Sequence, residues 1–245
     1  MELYHQTPGH SGILKQDVIY GRALSGTLPN EQKATQQRDQ TERDIALDNQ
    51  REAALQAYID SMSALLLEKD LRKSKESDEV RTIARVRTLT VLPRLDGKRK
   101  ARVLQFLFES DLIKIDKKII DLTGANLIGA VLRRADLFGA NLREADLQEA
   151  NMGGANLTGA NLGGADLLRA NLGGANLFGA NMGFANLREA NLSETNLGRG
   201  NLSFVSLREA DLSGADLSGA KVTDEQFKYA KSLKGAIMQD GTKHD

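Results

Sequence analysis

The chain of 245 residues contains no cysteine, which excludes disulfides, thiolate metal sites and cysteine nucleophiles. It has no excess of charge: 33 basic residues balance 33 acidic ones, which argues against a polyanion-binding tail. Its densest apolar stretch, "VLQFLF" at 103–108, falls far short of the roughly 20 residues of a membrane span. The opening "MELYHQTPGHSGILKQ" lacks an apolar stretch of signal-peptide length, so the expectation is a cytoplasmic chain not held in a membrane. The three histidines, His5, His10 and His244, lie in the terminal arms and read as solvated tail residues, not metal ligands. No Ser, His and Asp arrangement, Walker motif or GxGxxG loop stands out, so neither a catalytic site nor a cofactor is expected.

What is present changes sharply near residue 120. Before it Lys, Arg, Glu, Gln and Leu prevail; after it Gly, Ala, Asn and Leu do. Residues 1–30 hold two of the three prolines and no sustained periodicity, which predicts a loose arm. From about Glu31 to Arg72, Leu47, Ala54, Leu55, Tyr58, Ile59, Met62, Leu65 and Leu66 recur at the spacing of one helix face. Ser77 is positioned to cap a second helix that Pro93 stops, and a third is expected from about Lys98 to Ser110. Together they predict a small helical bundle.

From Leu122 to Val222 a centre recurs every fifth residue, giving 21 quintets. All centres are Leu except Met152, Met182 and Val222. Ala stands two positions earlier in 17 of the 21, and Asn or Asp lies between them in 18, so the pattern is too regular for composition to produce. On an extended backbone the Ala and Leu of each quintet point one way and the Asx the other. The remaining two residues, often with Gly, make a corner. Such monotony offers the same chemistry at every step and reads as a surface, not a catalytic centre.

The run "GANLTGANLGGADLL" and its neighbours over 120–224 resemble the pentapeptide-repeat family, with its A(D/N)LXX motif. The resemblance implies an all-β solenoid: a right-handed quadrilateral parallel β-helix of about five coils, one quintet per side, preceded by the small α-helical bundle. The organisation expected is a loose arm at 1–30, a helical domain at 31–118, the β-helix at 119–224 and a capping helix and tail at 225–245. Thr223 and Gln226 make a capping-box signature for that last helix, whose Phe227 and Tyr229 are expected to cover the stack's end, as Ile115, Ile119 and Ile120 are at its start. "SLKGAIMQDG" resembles the closing segment of such repeats. The helical stretch before the repeats resembles that of bacterial membrane-associated members, and membrane association enters by that resemblance alone.

Two function classes follow. The first is a non-catalytic scaffold that presents a rigid surface to an unidentified protein partner or to a second copy. The second is a DNA mimic acting on DNA gyrase, as the resemblance implies for some members. Residues 120–245 carry 15 acidic and 12 basic side chains, too few net charges to imitate a duplex with one charge per roughly 1.7 Å. Arg94, Lys98, Arg99, Lys100 and Arg102, which Arg81 and Arg85 would extend, read as the wet face of a helix, and without interleaved aromatics they make nucleic acid a poor candidate partner. Rotating the quintets over four sides gathers Phe138, Phe178, Phe184 and Phe204 along one edge, with Phe184 and Phe204 stacked on successive coils; these are the candidate protein-interaction residues. Ile128 and Val131, an apolar pair where outward polar groups are the rule, are the candidate interdomain docking residues.

Overall fold

The computed structural model describes residues 30–114 and 119–245; the arm expected at the amino terminus, with His5 and His10, and Ile115 lie outside the described residues. The chain divides into two units, Met1–Asp48 and Asn49–Asp245. Helix α1 (Asn30–Glu68) supplies residues to both. In the first unit its described residues are exposed on every side, Leu47 included, and pairs such as Gln40 to Asp44 at 2.8 Å decorate the surface.

In the second unit α1 buries Leu55, Tyr58, Met62 and Leu65 against α2 (Glu79–Val91) and α3 (Gly97–Glu109). Tyr58 meets Phe106 edge to face at 6.3 Å, and its hydroxyl lies 2.9 Å from that of Thr88, which satisfies both polar groups in the core. The amino-terminal cap of α2 is Asp78, not Ser77. Pro93 falls in a 3₁₀ turn, Leu92–Arg94, where its missing N–H is harmless, and Asp96 caps α3 by accepting from the Arg99 N–H at 2.9 Å.

From residue 120 the Ala and Leu of successive quintets turn inward, most at 0–2% exposure. Parallel bridges join each Asx position to the one 20 residues on, as in Asn126 to Asp146 and Asn141 to Asn161. Four quintets therefore complete each turn of the stack. Every rung has the same bonding: Leu127 donates to the Asp146 carbonyl at 2.7 Å, and Asn151 to the Ala130 carbonyl at 2.8 Å. The Asx side chains act locally. Asn161 Oδ1 accepts the Gly163 N–H at 3.1 Å and a hydrogen bond from Asn181 Nδ2 at 3.1 Å, and Asn201 Nδ2 reaches Asn181 Oδ1 at 2.9 Å. Thr195, buried where Ala is the rule, returns its hydroxyl to the Leu172 carbonyl at 3.1 Å.

A stack exposes unpaired backbone at its two ends. At the first, α2 and α3 supply what a preceding coil would. The Val131 N–H donates to the Gly97 carbonyl at 2.9 Å. Lys100 Nζ donates to Asn126 Oδ1 and the Ile128 carbonyl, both at 2.9 Å, while Arg85 reaches the carbonyls of Asp121 and Thr123 at 3.1 and 3.2 Å. Lys100 is thus buried, at 4% exposure, and not on a wet face as the charge run suggested; burial pulls its pKa down against the attraction of Asp146 and Asp96. Arg99 and Arg102 both pair with Glu52, and Arg81 bonds Ser74, so most of the basic cluster is engaged in structure, while Arg94 and Lys98 stay exposed.

At the other end helix α4 (Asp224–Phe227) carries the expected capping box, and Gln226 Nε2 donates to the Leu202 and Val205 carbonyls at 2.8 and 3.1 Å. Phe227 is buried, but Tyr229 stays 62% exposed and does not cover the end. Two further rungs follow, Asp211 to Ser232 and Asp216 to Ile237, and an antiparallel bridge from Ile237 to Lys243 closes the last edge.

Replacing Lys100 by Met leaves a buried carbonyl without its donor and is expected to cost roughly 1–3 kcal/mol. Lys98→Met, on the same helix, is expected to stay within about 0.5 kcal/mol. Urea midpoints of the two variants check this.

Candidate protein-interaction surface

Each quintet but the last, which runs into α4, ends its corner in the left-handed region of φ. Among the described residues twelve other than Gly adopt positive φ, ten of them corner positions of the repeat, Phe184 at 62° and Phe204 at 59° among them. That conformation costs an L-residue roughly 1–2 kcal/mol, so the fold by itself favours glycine there. The Asn181 to Asn201 rung sets these two corners one coil apart, and their rings stack with centroids 4.9 Å apart and planes 14° from parallel. Both remain largely exposed, at 71% and 74%. A ring pair contributes about 0.5–1.5 kcal/mol, which does not exceed the backbone cost of two such corners.

Beside the rings runs a groove of about 510 Å³, floored by Gly163, Gly164 and Gly183 and ended by Arg143 and Glu144, which pair at 2.9 Å. The next face differs. There Arg169 and Glu189 pair at 2.8 Å, each holding the other charged: the Glu189 carboxyl lies below and the Arg169 guanidinium above its ordinary pKa. Its charges answer one another and leave little for a partner to neutralise. Among the described residues no group of three or more His, Cys, Asp or Glu is placed to hold a metal ion.

A sequence model of the pentapeptide repeats, in eight copies, matches residues 120–154, 155–193 and 185–224. HetL of the cyanobacterium Nostoc sp. strain PCC 7120, a pentapeptide-repeat protein involved in regulating heterocyst differentiation, is 36% identical over 51% of this chain and 70% of its own, with a TM-score of 0.27. The chain belongs to the pentapeptide-repeat family. A thylakoid-lumen member of that family from Arabidopsis thaliana, AT2G44920, is 34% identical over 44% of this chain and 72% of its own, with a TM-score of 0.35. QnrB1, a plasmid-mediated fluoroquinolone resistance protein, is 20% identical over 48% of this chain and 67% of its own, with a TM-score of 0.28. Membership rests on the shared repeat sequence, since superpositions at these scores carry no weight. The curated proteins compared with the chain contain no match.

Within this pentapeptide-repeat stack the four phenylalanines have different surroundings. Phe184 and Phe204 line the groove; Phe178 and Phe138 do not. Phe178, 39% exposed, lies across Gly198 and carries the Arg199 guanidinium 5.6 Å above its ring. Phe138, 42% exposed, stands two coils before Phe178 and has no ring partner among the described residues.

Ile128 and Val131 stand where the repeat meets α3, each about two-fifths exposed. The approach there is mainly through backbone. Ile128 offers its carbonyl to Lys100 and Val131 its N–H to Gly97, with a Val131 methyl 3.3 Å from where a Gly97 Cβ would sit. That Cβ would also lie 2.0 Å from the Gly129 carbonyl oxygen, so only glycine allows α3 this close. Sequence reading took Lys100 and Arg85 for surface charges. Their partners lie 26–38 residues away, beyond any local pattern.

Gly97→Ala forces the helix off the first coil and is expected to cost roughly 1–3 kcal/mol or more. Gly153→Ala, whose Cβ would meet nothing nearer than 3.5 Å at an ordinary φ, is expected to stay within about 0.5 kcal/mol. Equal thermal midpoints for the two variants would contradict this account of the junction.

Proposed function

We propose that this pentapeptide-repeat chain is a non-catalytic protein-interaction scaffold. In this reading the repeats form a right-handed quadrilateral β-helix of about five coils at 119–224, preceded by the helical domain 31–118, whose α2 and α3 cover its first end with docking through Ile128 and Val131, and residues 225–245 are its closing cap. The scaffold works in the cytoplasm without a cofactor. It presents Phe178, Phe184 and Phe204, with Phe138 at the margin, to a partner protein or a second copy. The observation that carries the reading is the Phe184–Phe204 stack: two rings more than two-thirds exposed, at corners whose φ disfavours them, bordering an open groove on an otherwise polar surface.

The second reading, a mimic of DNA acting on gyrase, is weaker on charge. A rod of about 25 Å imitating a duplex needs on the order of 15 negative charges. The repeats and tail have a net of 3, from 15 acidic and 12 basic residues, and pairs such as Arg169 with Glu189 cancel locally. Among the described residues no helix is long and apolar enough to cross a membrane, so membrane association has only family resemblance behind it.

The test compares wild-type chain with a variant carrying Phe178→Ser, Phe184→Ser and Phe204→Ser in light scattering and in capture from host lysate. Loss of association with an unchanged circular-dichroism spectrum is expected. Unimpaired association would overturn the stripe, and strong inhibition of gyrase supercoiling by the wild type would reverse the order of the two readings.

A further inference from the structure

The corner column that holds the stacked rings runs Glu144, Gly164, Phe184, Phe204, one residue per coil. Phe204 covers one face of Phe184 at 4.9 Å. No second ring stacks on Phe184 among the described residues, and the corner one coil before it in the column is Gly164, which carries no side chain. A Cβ built there would meet only Glu144 Cγ, at 3.5 Å, and nothing else within 4 Å. One coil's rise of about 4.8 Å matches the spacing at which the two rings already stack. The column is therefore a stack of planar groups with one place empty, open to solvent and bounded on its far side by the Arg143–Glu144 pair.

We propose that this place is a slot for an aromatic side chain of a partner protein, which stacks on the free face of Phe184 and takes the Arg143 guanidinium on its other side. The molecule already contains both contacts: ring on ring at Phe184 and Phe204, and guanidinium over ring at Arg199 and Phe178, 5.6 Å apart. An arginine would also stack on Phe184 but would face the like charge of Arg143, whereas Glu144 is already engaged at 2.9 Å. A neutral ring leaves that pair intact and gains the guanidinium's attraction. An aliphatic side chain gains neither the stack nor the cation–π contact. The slot deepens the scaffold reading and rests on it, since it names the chemistry by which the exposed ring pair would grip a partner.

The chain has no tryptophan, so indole emission reports the slot without background. The probe is the end-blocked tripeptide Gly-Trp-Gly, titrated with the full chain. A saturable blue shift is expected with wild type. It should be lost in Phe184→Leu, which removes the ring face, and in Gly164→Phe, which builds a third ring into the place. The second substitution is sterically precedented, because Phe184 and Phe204 hold the same corner at φ of 62° and 59°, and circular dichroism verifies each fold. Arg143→Ala should weaken binding several-fold. No saturable shift in wild type, or a shift in Phe184→Leu and Gly164→Phe as strong as in wild type, overturns the slot. Displacement of the probe by end-blocked Gly-Arg-Gly at lower concentration than by Gly-Tyr-Gly overturns the aromatic assignment. Partner association lost in the triple serine variant but kept in Gly164→Phe overturns the slot alone; association kept in both overturns the scaffold surface itself.

Discussion

The structure depends on one repeated interaction, the backbone hydrogen bonding that pairs positions 20 residues apart. Each rung satisfies the N–H and C=O of its quintet and sets the next coil's register, so a slip of even one residue would turn Leu and Ala outward. Once the register is fixed, the inward Leu and Ala are buried along the whole stack. Chemistry is confined to the corners and the outward Asx columns, and the Asx side chains are consumed in holding the corners together.

The same interaction makes the ends a problem that the flanking sequence must solve. At the first end, a backbone carbonyl of α3, a buried ammonium and a guanidinium take the places of a missing coil's backbone groups. At the last, a glutamine amide, two further rungs and an antiparallel bridge do so. The charge run around Lys100 is therefore better understood as finishing the solenoid than as a surface for an anionic partner. The surface proposed for recognition is the corner column of Phe184 and Phe204, where two aromatic rings hold a φ that the fold by itself gives to glycine.

The quintet pattern was legible because each residue's role recurs at a fixed short interval: inward Leu and Ala, outward Asx, permissive corners. The same arithmetic placed Phe184 over Phe204, since residues 20 apart share a column. It did not reach the surroundings of Phe178, because spacing locates a corner but does not say that the ring will lie across Gly198 and under Arg199. Capping was legible only where it is local. The Thr223–Gln226 box was readable from its three-residue spacing, while Asp78 displaced Ser77 through a one-residue choice among capable caps. Gly97, Lys100 and Arg85 earn their roles from long-range contacts that no periodicity announces.

The central claim, that α3 pairs with the first coil as one coil pairs with the next, is tested most directly by native-state hydrogen exchange at the Val131 amide. If Gly97 completes the ladder, Val131 is protected to within about tenfold of Asn151, whose N–H donates to Ala130 in the same column. Exchange of Val131 at the rate of an exposed loop, while Asn151 stays protected, would contradict the account.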